Sequence, residues 1–220
     1  YLLSDYPAET LHETIPDFHN TVKRYRDLEA AIAADVAGRR KCVEPEIAFV
    51  RERKAELGEL LDLQRAGKLP LRVTHNDTKL NNIMMDEKTG RGICVIDLDT
   101  VMPGLSLYDF GDSIRYGANT GAEDEVDLTR VSLDLSLYRL YKKGYLEGSQ
   151  GSLSALEQKM LPVGAKLMTL ECGIRFLTDY LNGDTYFKIH RKQQNLDRCR
   201  SQFALVADME KKWDAMCKED

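Results

Sequence analysis

Two segments lie close together in this chain, Thr74-His75-Asn76-Asp77-Thr78-Lys79-Leu80-Asn81-Asn82 and Cys94-Val95-Ile96-Asp97-Leu98-Asp99. The first sets His75, Asp77 and Asn82 at the three fixed places of the pattern H-x-D-x-x-x-x-N. The second is an apolar run that ends in an aspartate. Ile83 to Met85, a turn through Asp86 to Gly92, and Ile93 to Ile96 read as a short β-hairpin. Such a hairpin returns the chain beside the loop and brings Asp97 near Asn82. Any fold for this sequence must accommodate that return.

The chemistry of phosphoryl transfer accounts for the spacing. That reaction needs in-line positioning and neutralisation of charge on the moving group, with little covalent help from the protein. Asp77 is placed to accept a hydrogen bond from an acceptor hydroxyl as catalytic base. Asn82 can turn back to offer its amide oxygen to Mg²⁺, and Asp97 supplies a charged ligand to the same ion, which prefers oxygen donors. Lys79 follows Asp77 closely enough for its ammonium to reach a γ-phosphate as a compact point charge. His75 is better suited to bracing the loop than to acid-base work.

Each residue taken alone has an ordinary explanation: a core histidine, a solvated lysine, an Asn-Asp turn pair, an aspartate at a strand end. One explanation that covers all of these positions is phosphoryl transfer. Asp109-Phe110-Gly111 also spells the D-F-G of protein kinases, in which the aspartate holds magnesium. It lies well beyond the hairpin, so Asp97 is the better metal ligand. Asp109 then reads as a helix cap or a brace for the loop.

The 220 residues are enough for a sizeable core in one or two domains. A net charge of −5 argues against nucleic acid or an anionic membrane as main partner. No run approaches the roughly 18 apolar residues of a membrane span, and no secretory signal is visible. Cys42, Cys94, Cys172, Cys199 and Cys217 are scattered, which suggests reduced thiols in a cytoplasmic protein. The chain opens on Tyr1 and contains neither a P-loop nor G-x-G-x-x-G. Kinase-type enzymes need a nucleotide-covering loop and a lysine strand upstream. The expectation is therefore a single unit over residues 1–220, the C-terminal lobe of a longer protein whose N-terminal nucleotide lobe is missing here.

Leu11, Ile15, Phe18, Val22, Tyr25, Leu28 and Ile32 recur at steps of three and four and predict one amphipathic helix, with Pro16 in its first turn or at a kink. A second helix is predicted from Glu44-Pro45 through Leu61 to about Gly67. Pro103-Gly104 reads as a turn, and a helix is expected over Leu107 to Tyr116. The acidic run Glu123 to Asp127 reads as a solvated helix start. Val163 to Leu181 predicts a helix stopped by Asn182-Gly183, and Leu196 to Met216 a final helix. The fold class is α+β: a mainly helical lobe with a small β-hairpin at its active edge.

The loop and hairpin resemble the aminoglycoside phosphotransferase and choline kinase superfamily, which has a protein-kinase-like fold. Within it the chain looks most like the N-acetylhexosamine 1-kinases. Leu71 to Asn82 and Val95 to Leu105 carry most of that likeness, extended by Tyr108-Asp109-Phe110-Gly111-Asp112 and by Arg175-Phe176-Leu177-Thr178-Asp179-Tyr180-Leu181. The resemblance implies ATP as donor, Mg²⁺ on Asn82 and Asp97, and phosphorylation of the anomeric hydroxyl of N-acetylglucosamine or N-acetylgalactosamine. It also implies a sugar pocket using Asp77, Thr100, Arg175 and Tyr186, with Tyr116 nearby. Those residue types suit sugar hydroxyls and an apolar sugar face. Against this, Glu171 and Arg175 have the spacing of a helix-surface ion pair, Tyr116 and Tyr186 that of packing tyrosines, and Thr100 that of a turn residue. A choline-, homoserine- or aminoglycoside-type kinase and a kinase-like binding module are the alternatives.

Overall fold

The structure is a computed structural model, and it describes residues 3–218. It has a mainly helical body with two small antiparallel sheets at one edge, in keeping with the α+β class. In chain order the elements are α1 (Thr21–Ala34), α2 (Glu44–Glu52), α3 (Glu59–Arg65), β1 (Arg72–Thr74), β2 (Ile83–Met85), β3 (Gly92–Val95), β4 (Met102–Gly104), α4 (Ser106–Gly117), α5 (Leu135–Ser149), α6 (Ala155–Leu181), α7 (Gln194–Lys211) and α8 (Trp213–Cys217). One-turn 3₁₀ segments occupy several of the connections.

The core is built around α6. Its N-terminus is fixed by a capping box: Ser154 Oγ accepts the Glu157 N–H and Glu157 accepts the Ser154 N–H. Most of its residues are buried against α1, α4 and α7. The crossing with α4 is close because glycines meet there. A Cβ on Gly111 would stand 2.3 Å from the Gly164 carbonyl oxygen, and one on Gly164 2.6 Å from that of Leu107. The helix ends at Asn182, with Gly183 at φ +91°.

Glu157 also ties the body to the sheet edge. Arg72 of β1 grips its carboxylate with two hydrogen bonds, of 2.6 and 2.7 Å, and Ser106 at the start of α4 adds a third of 2.8 Å.

Five expectations about the elements need correction, one of them the single final helix, which is broken at Lys212 into α7 and α8. The first helix starts at Thr21, not near Leu11, capped by Asn20, whose side chain accepts the Lys23 N–H. The preceding residues are held elsewhere: Thr14 donates to the Asp99 carbonyl, and Asp17 sits at φ +58°. The second helix is broken after Glu52, where Arg53 turns its guanidinium back onto the Phe49 carbonyl and Glu210. Pro103-Gly104 is not a turn but part of β4, paired with β1 in the register Arg72–Gly104, Val73–Pro103 and Thr74–Met102. Only glycine allows this pairing, since a Cβ at Gly104 would stand 2.3 Å from Thr74 Oγ1. Glu123 to Asp127 starts no helix; Glu123 pairs with Arg115 and Asp124 with Arg191.

The hairpin falls where it is predicted, with Ile83 opposite Val95 and Met84 opposite Cys94. Its turn is tied by Asp86, whose Oδ1 accepts from the Lys88 and Thr89 N–H groups and the Thr89 hydroxyl. Met84, Met85, Ile93 and Val95 are all exposed. Among the described residues no disulfide is formed and no helix is long and apolar enough to cross a membrane.

Candidate active site

The loop between β1 and β2 is fixed before any catalytic question arises. Asp109, in the first turn of α4, accepts the His75 N–H (2.9 Å) and the Asn76 N–H (2.7 Å), while its carbonyl accepts the Thr78 hydroxyl (2.6 Å). Burial pushes the Asp109 carboxyl above the usual carboxylate range, with the two N–H bonds opposing. Ser113, one turn further along α4, donates to the Thr78 carbonyl at 3.0 Å. The Asn76 side chain, buried at φ +66°, donates to the Thr100 carbonyl, and the Thr100 hydroxyl donates to the His75 carbonyl.

His75 joins the loop to the hairpin. Its Nδ1 accepts the Asp77 N–H at 3.3 Å, which leaves Nε2 to donate to the Ile96 carbonyl at 3.0 Å. Ile96 in turn donates its N–H to the Asn82 carbonyl at 2.9 Å. The residue before Asp97 is thereby tied to both ends of the loop.

Asp77, Lys79 and Asn82 converge. Lys79 Nζ lies 2.9 Å from Asp77 Oδ2, and Asn82 Nδ2 donates to the Asp77 carbonyl (2.8 Å) and to Oδ2 (2.9 Å). Burial alone would pull the Lys79 pKa down, but the hydrogen bond and charge of Asp77 outweigh it and raise the pKa above that of an ordinary lysine. With its amide N–H groups spent on Asp77, Asn82 presents an Oδ1 that accepts from no described residue. Asp97, at φ +63° and exposed, likewise accepts from none.

These two oxygens fit a hard cation. No group of three or more His, Cys, Asp or Glu able to hold a metal occurs among the described residues. An all-protein cage is therefore not on offer. Mg²⁺ does not require one, because it commonly takes one or two carboxylates and completes its shell with phosphate and water.

Arg175 and Tyr186 stand apart from this cluster. They line a cavity of about 290 Å³ with Phe18, Phe187, Thr178 and Arg24. The ion pair between Glu171 and Arg175 that their spacing allows is not formed: Glu171 is spent on His19 and Thr21. The Arg175 guanidinium lies instead over the rings of Phe18 and Phe187, 5.3 and 5.5 Å from their centroids. Tyr186 is 70% exposed. Tyr116 lines neither group; its hydroxyl donates to Asn81 Oδ1 at 2.9 Å. A larger cavity of about 690 Å³ opens between α4, α5 and β1. Thr78, Asp109 and Ser113 line it, and neither cavity is lined by Asp77 or Asn82.

His19, which the sequence does not single out, also reaches the loop. His19 Nε2 lies 2.8 Å from the Asn76 carbonyl oxygen and Nδ1 2.8 Å from Glu171 Oε1. Phe18, its neighbour in the chain, lines the Arg175 cavity, so this short segment spans the distance between cavity and loop. Its partners are 57 and 152 residues away, and no local pattern marks it.

Residues 1–142 match the phosphotransferase enzyme family, APH, a span that includes the loop, the hairpin and α4. The chain belongs to that family and is a phosphotransferase of the small-molecule kind. Enzymes of this kind generally use ATP with Mg²⁺.

Proposed function

We propose that the chain is the catalytic lobe of an ATP-dependent kinase that phosphorylates the anomeric hydroxyl of an N-acetylhexosamine. In this reading Asp77 accepts the hydrogen bond of the acceptor hydroxyl and aims its oxygen at the γ-phosphorus, the positioning role that phosphoryl transfer demands. Lys79 and Asn82 hold the Asp77 carboxylate in one orientation. The Lys79 ammonium also faces the transferred group. Mg²⁺, when held by Asn82 and Asp97, supplies charge neutralisation at the phosphates. The exposed apolar side chains of β2 and β3 are assigned to the flat base of the nucleotide.

The observation that carries the acceptor class is the unpaired Arg175 guanidinium at the cavity of Phe18, Phe187 and Tyr186. Aromatic faces suit the apolar side of a pyranose, and a guanidinium suits its hydroxyls and amide oxygen. The same cavity disfavours a choline or an aminoglycoside. Its two carboxylates are already engaged, Asp27 by Lys23 and Asp179 by the N–H groups of Thr185, Tyr186 and Phe187 and by Asn195. A cationic acceptor would meet Arg175 and Arg24 with no free counter-charge. A zwitterionic acceptor such as homoserine, whose carboxylate would pair with Arg175, is the second reading.

The test is ADP release with Mg²⁺-ATP and N-acetylglucosamine or N-acetylgalactosamine, with choline and homoserine as controls. The assay uses the chain joined to the nucleotide lobe that this reading places upstream. Sugar-dependent release that is lost in Asp77→Asn supports the proposal. Turnover with homoserine alone keeps the mechanism and replaces the acceptor; silence with all four discards these acceptors and favours the kinase-like binding module.

A further inference from the structure

The peptide that joins Asn76 to Asp77 is held at both edges by histidines. Its N–H donates to His75 Nδ1, and its carbonyl faces His19 Nε2 at 2.8 Å. The two rings do opposite jobs. His75 has an acceptor nitrogen and a donor nitrogen, as a neutral imidazole does.

His19 meets an acceptor on each side, a peptide carbonyl at Nε2 and the Glu171 carboxylate at Nδ1. A neutral ring would point a lone pair at one of those oxygens. A ring that donates to both of them carries both protons. The pair is closed to solvent, with side chains 8% and 1% exposed. Burial pushes the Glu171 carboxyl up, but the bond to His19, the Thr21 hydroxyl and the Arg175 charge hold it below the usual glutamate range. The rings of Phe18 and of Tyr108 of α4 flank that of His19, with centroids 4.6 and 5.1 Å away, and Arg175 of α6 acts on Glu171.

We propose that His19 is a positioning residue for phosphoryl transfer: clamped by Glu171, its doubly protonated ring fixes the Asn76–Asp77 peptide and so the direction of the Asp77 carboxylate. The proposal rests on the reading of Asp77 as the base. It gives α6 a role in the chemistry, since Glu171 lies in its middle while the acceptor-side Arg175 lies one turn later. His19 touches neither substrate nor phosphate.

The test compares His19→Gln, Glu171→Gln and the double variant with the parent enzyme. Each single change lowers kcat by about 10- to 100-fold, as expected for a misaligned reacting group, and leaves KM for ATP and sugar within about twofold. The double variant is no slower than the worse single one, because the two residues act as a unit. Nitrogen NMR of the parent at pH 7 finds a proton on both His19 ring nitrogens, and Glu171→Gln loses one. An active parent whose kcat is untouched by His19→Gln, or a His19 ring with one bare nitrogen at pH 7, overturns the clamp. A parent silent with every acceptor sinks the underlying reading instead, and the ring protons still decide the clamp.

Discussion

The Lys79 ammonium sits 2.9 Å from Asp77 Oδ2, so the proposed base and the nearest cation share one hydrogen bond. That contact bears on both charge and aim. An unscreened Asp77 carboxylate would repel an incoming triphosphate, and a free one would sample several rotamers. Lys79 counters the charge, and Asn82 completes the restraint from the other side of the same oxygen.

Lys79→Ala is expected to reduce kcat by about 10²- to 10³-fold, the usual scale for deleting one preorganised electrostatic group, with little change in acceptor KM. Because the pKa of Lys79 is raised, the cation persists up to and beyond the ordinary lysine value of 10.5 and is lost only as pH rises further. The parent pH–rate profile should therefore have no alkaline limb owed to Lys79 below about pH 10. A limb near pH 9 that vanishes in Lys79→Arg would contradict this.

Asp97→Ala should leave the fold intact and abolish turnover through the metal. The side chain is exposed and bonds to no described residue, so its removal strands no partner. Thermal melts of the parent and variant are expected to agree within about 2 °C, roughly what a change of 0.5 kcal/mol produces in a chain of this size. Activity should recover in part at high Mg²⁺ or with Mn²⁺. A variant that turns over normally at low Mg²⁺ would remove Asp97 from the site.

The convergence of Asp77, Lys79 and Asn82 was legible because their spacing is local. Asp77, Lys79 and Asn82 fall within one loop, and the hairpin that returns Asp97 is written in turn residues at Asp86 to Gly92. The family resemblance read from that segment agrees with the match over residues 1–142. Contacts that join distant parts of the chain left no such trace. His19 lies off the apolar stripe of a predicted helix that in the structure begins only at Thr21, and its meaning lies in Glu171, 152 residues on. Pro103-Gly104 looks like a turn because both residues favour turns. Its place in β4 follows from a partner strand 30 residues earlier, against which only a missing Cβ will fit. Arg175 has the right spacing for an ion pair with Glu171, yet that carboxylate is taken by a residue no periodicity could reveal.

The α4–α6 crossing offers a direct check on packing. In Gly164→Ala the new methyl would stand 2.6 Å from the Leu107 carbonyl oxygen, a contact with backbone that no side-chain rotation relieves. The helices must separate, at a cost of about 1–3 kcal/mol, which outweighs the helix propensity alanine gains over glycine. Since Asp109 and Ser113 hold the proposed catalytic loop from α4, the same change should lower kcat at temperatures where the protein is still folded. Chemical denaturation and kinetics on one sample would test both. A variant as stable as the parent would show that the crossing is looser than it stands here.

Glu157 supplies a prediction with a pH signature. Its carboxylate is 1% exposed and receives Arg72, Ser106 and the Ser154 N–H. Burial raises its pKa, but these partners outweigh burial and leave it below the ordinary value of 4.5. A depressed carboxyl pKa stabilises the folded state above the unfolded-state value, and that contribution fades as pH falls through the folded one. Glu157→Gln should accordingly cost about 3 kcal/mol at pH 7, since it leaves the Arg72 charge without its partner. The deficit should shrink below pH 4.5, where Glu157 of the unfolded parent begins to take up its proton, and fade as pH falls through the lower folded-state value. Urea titrations of both proteins at pH 7, 5 and 3.5 would show the two midpoints converging. Curves that stay equally far apart at all three would mean that the variant loses packing around Ser106 and Ser154 rather than a charge.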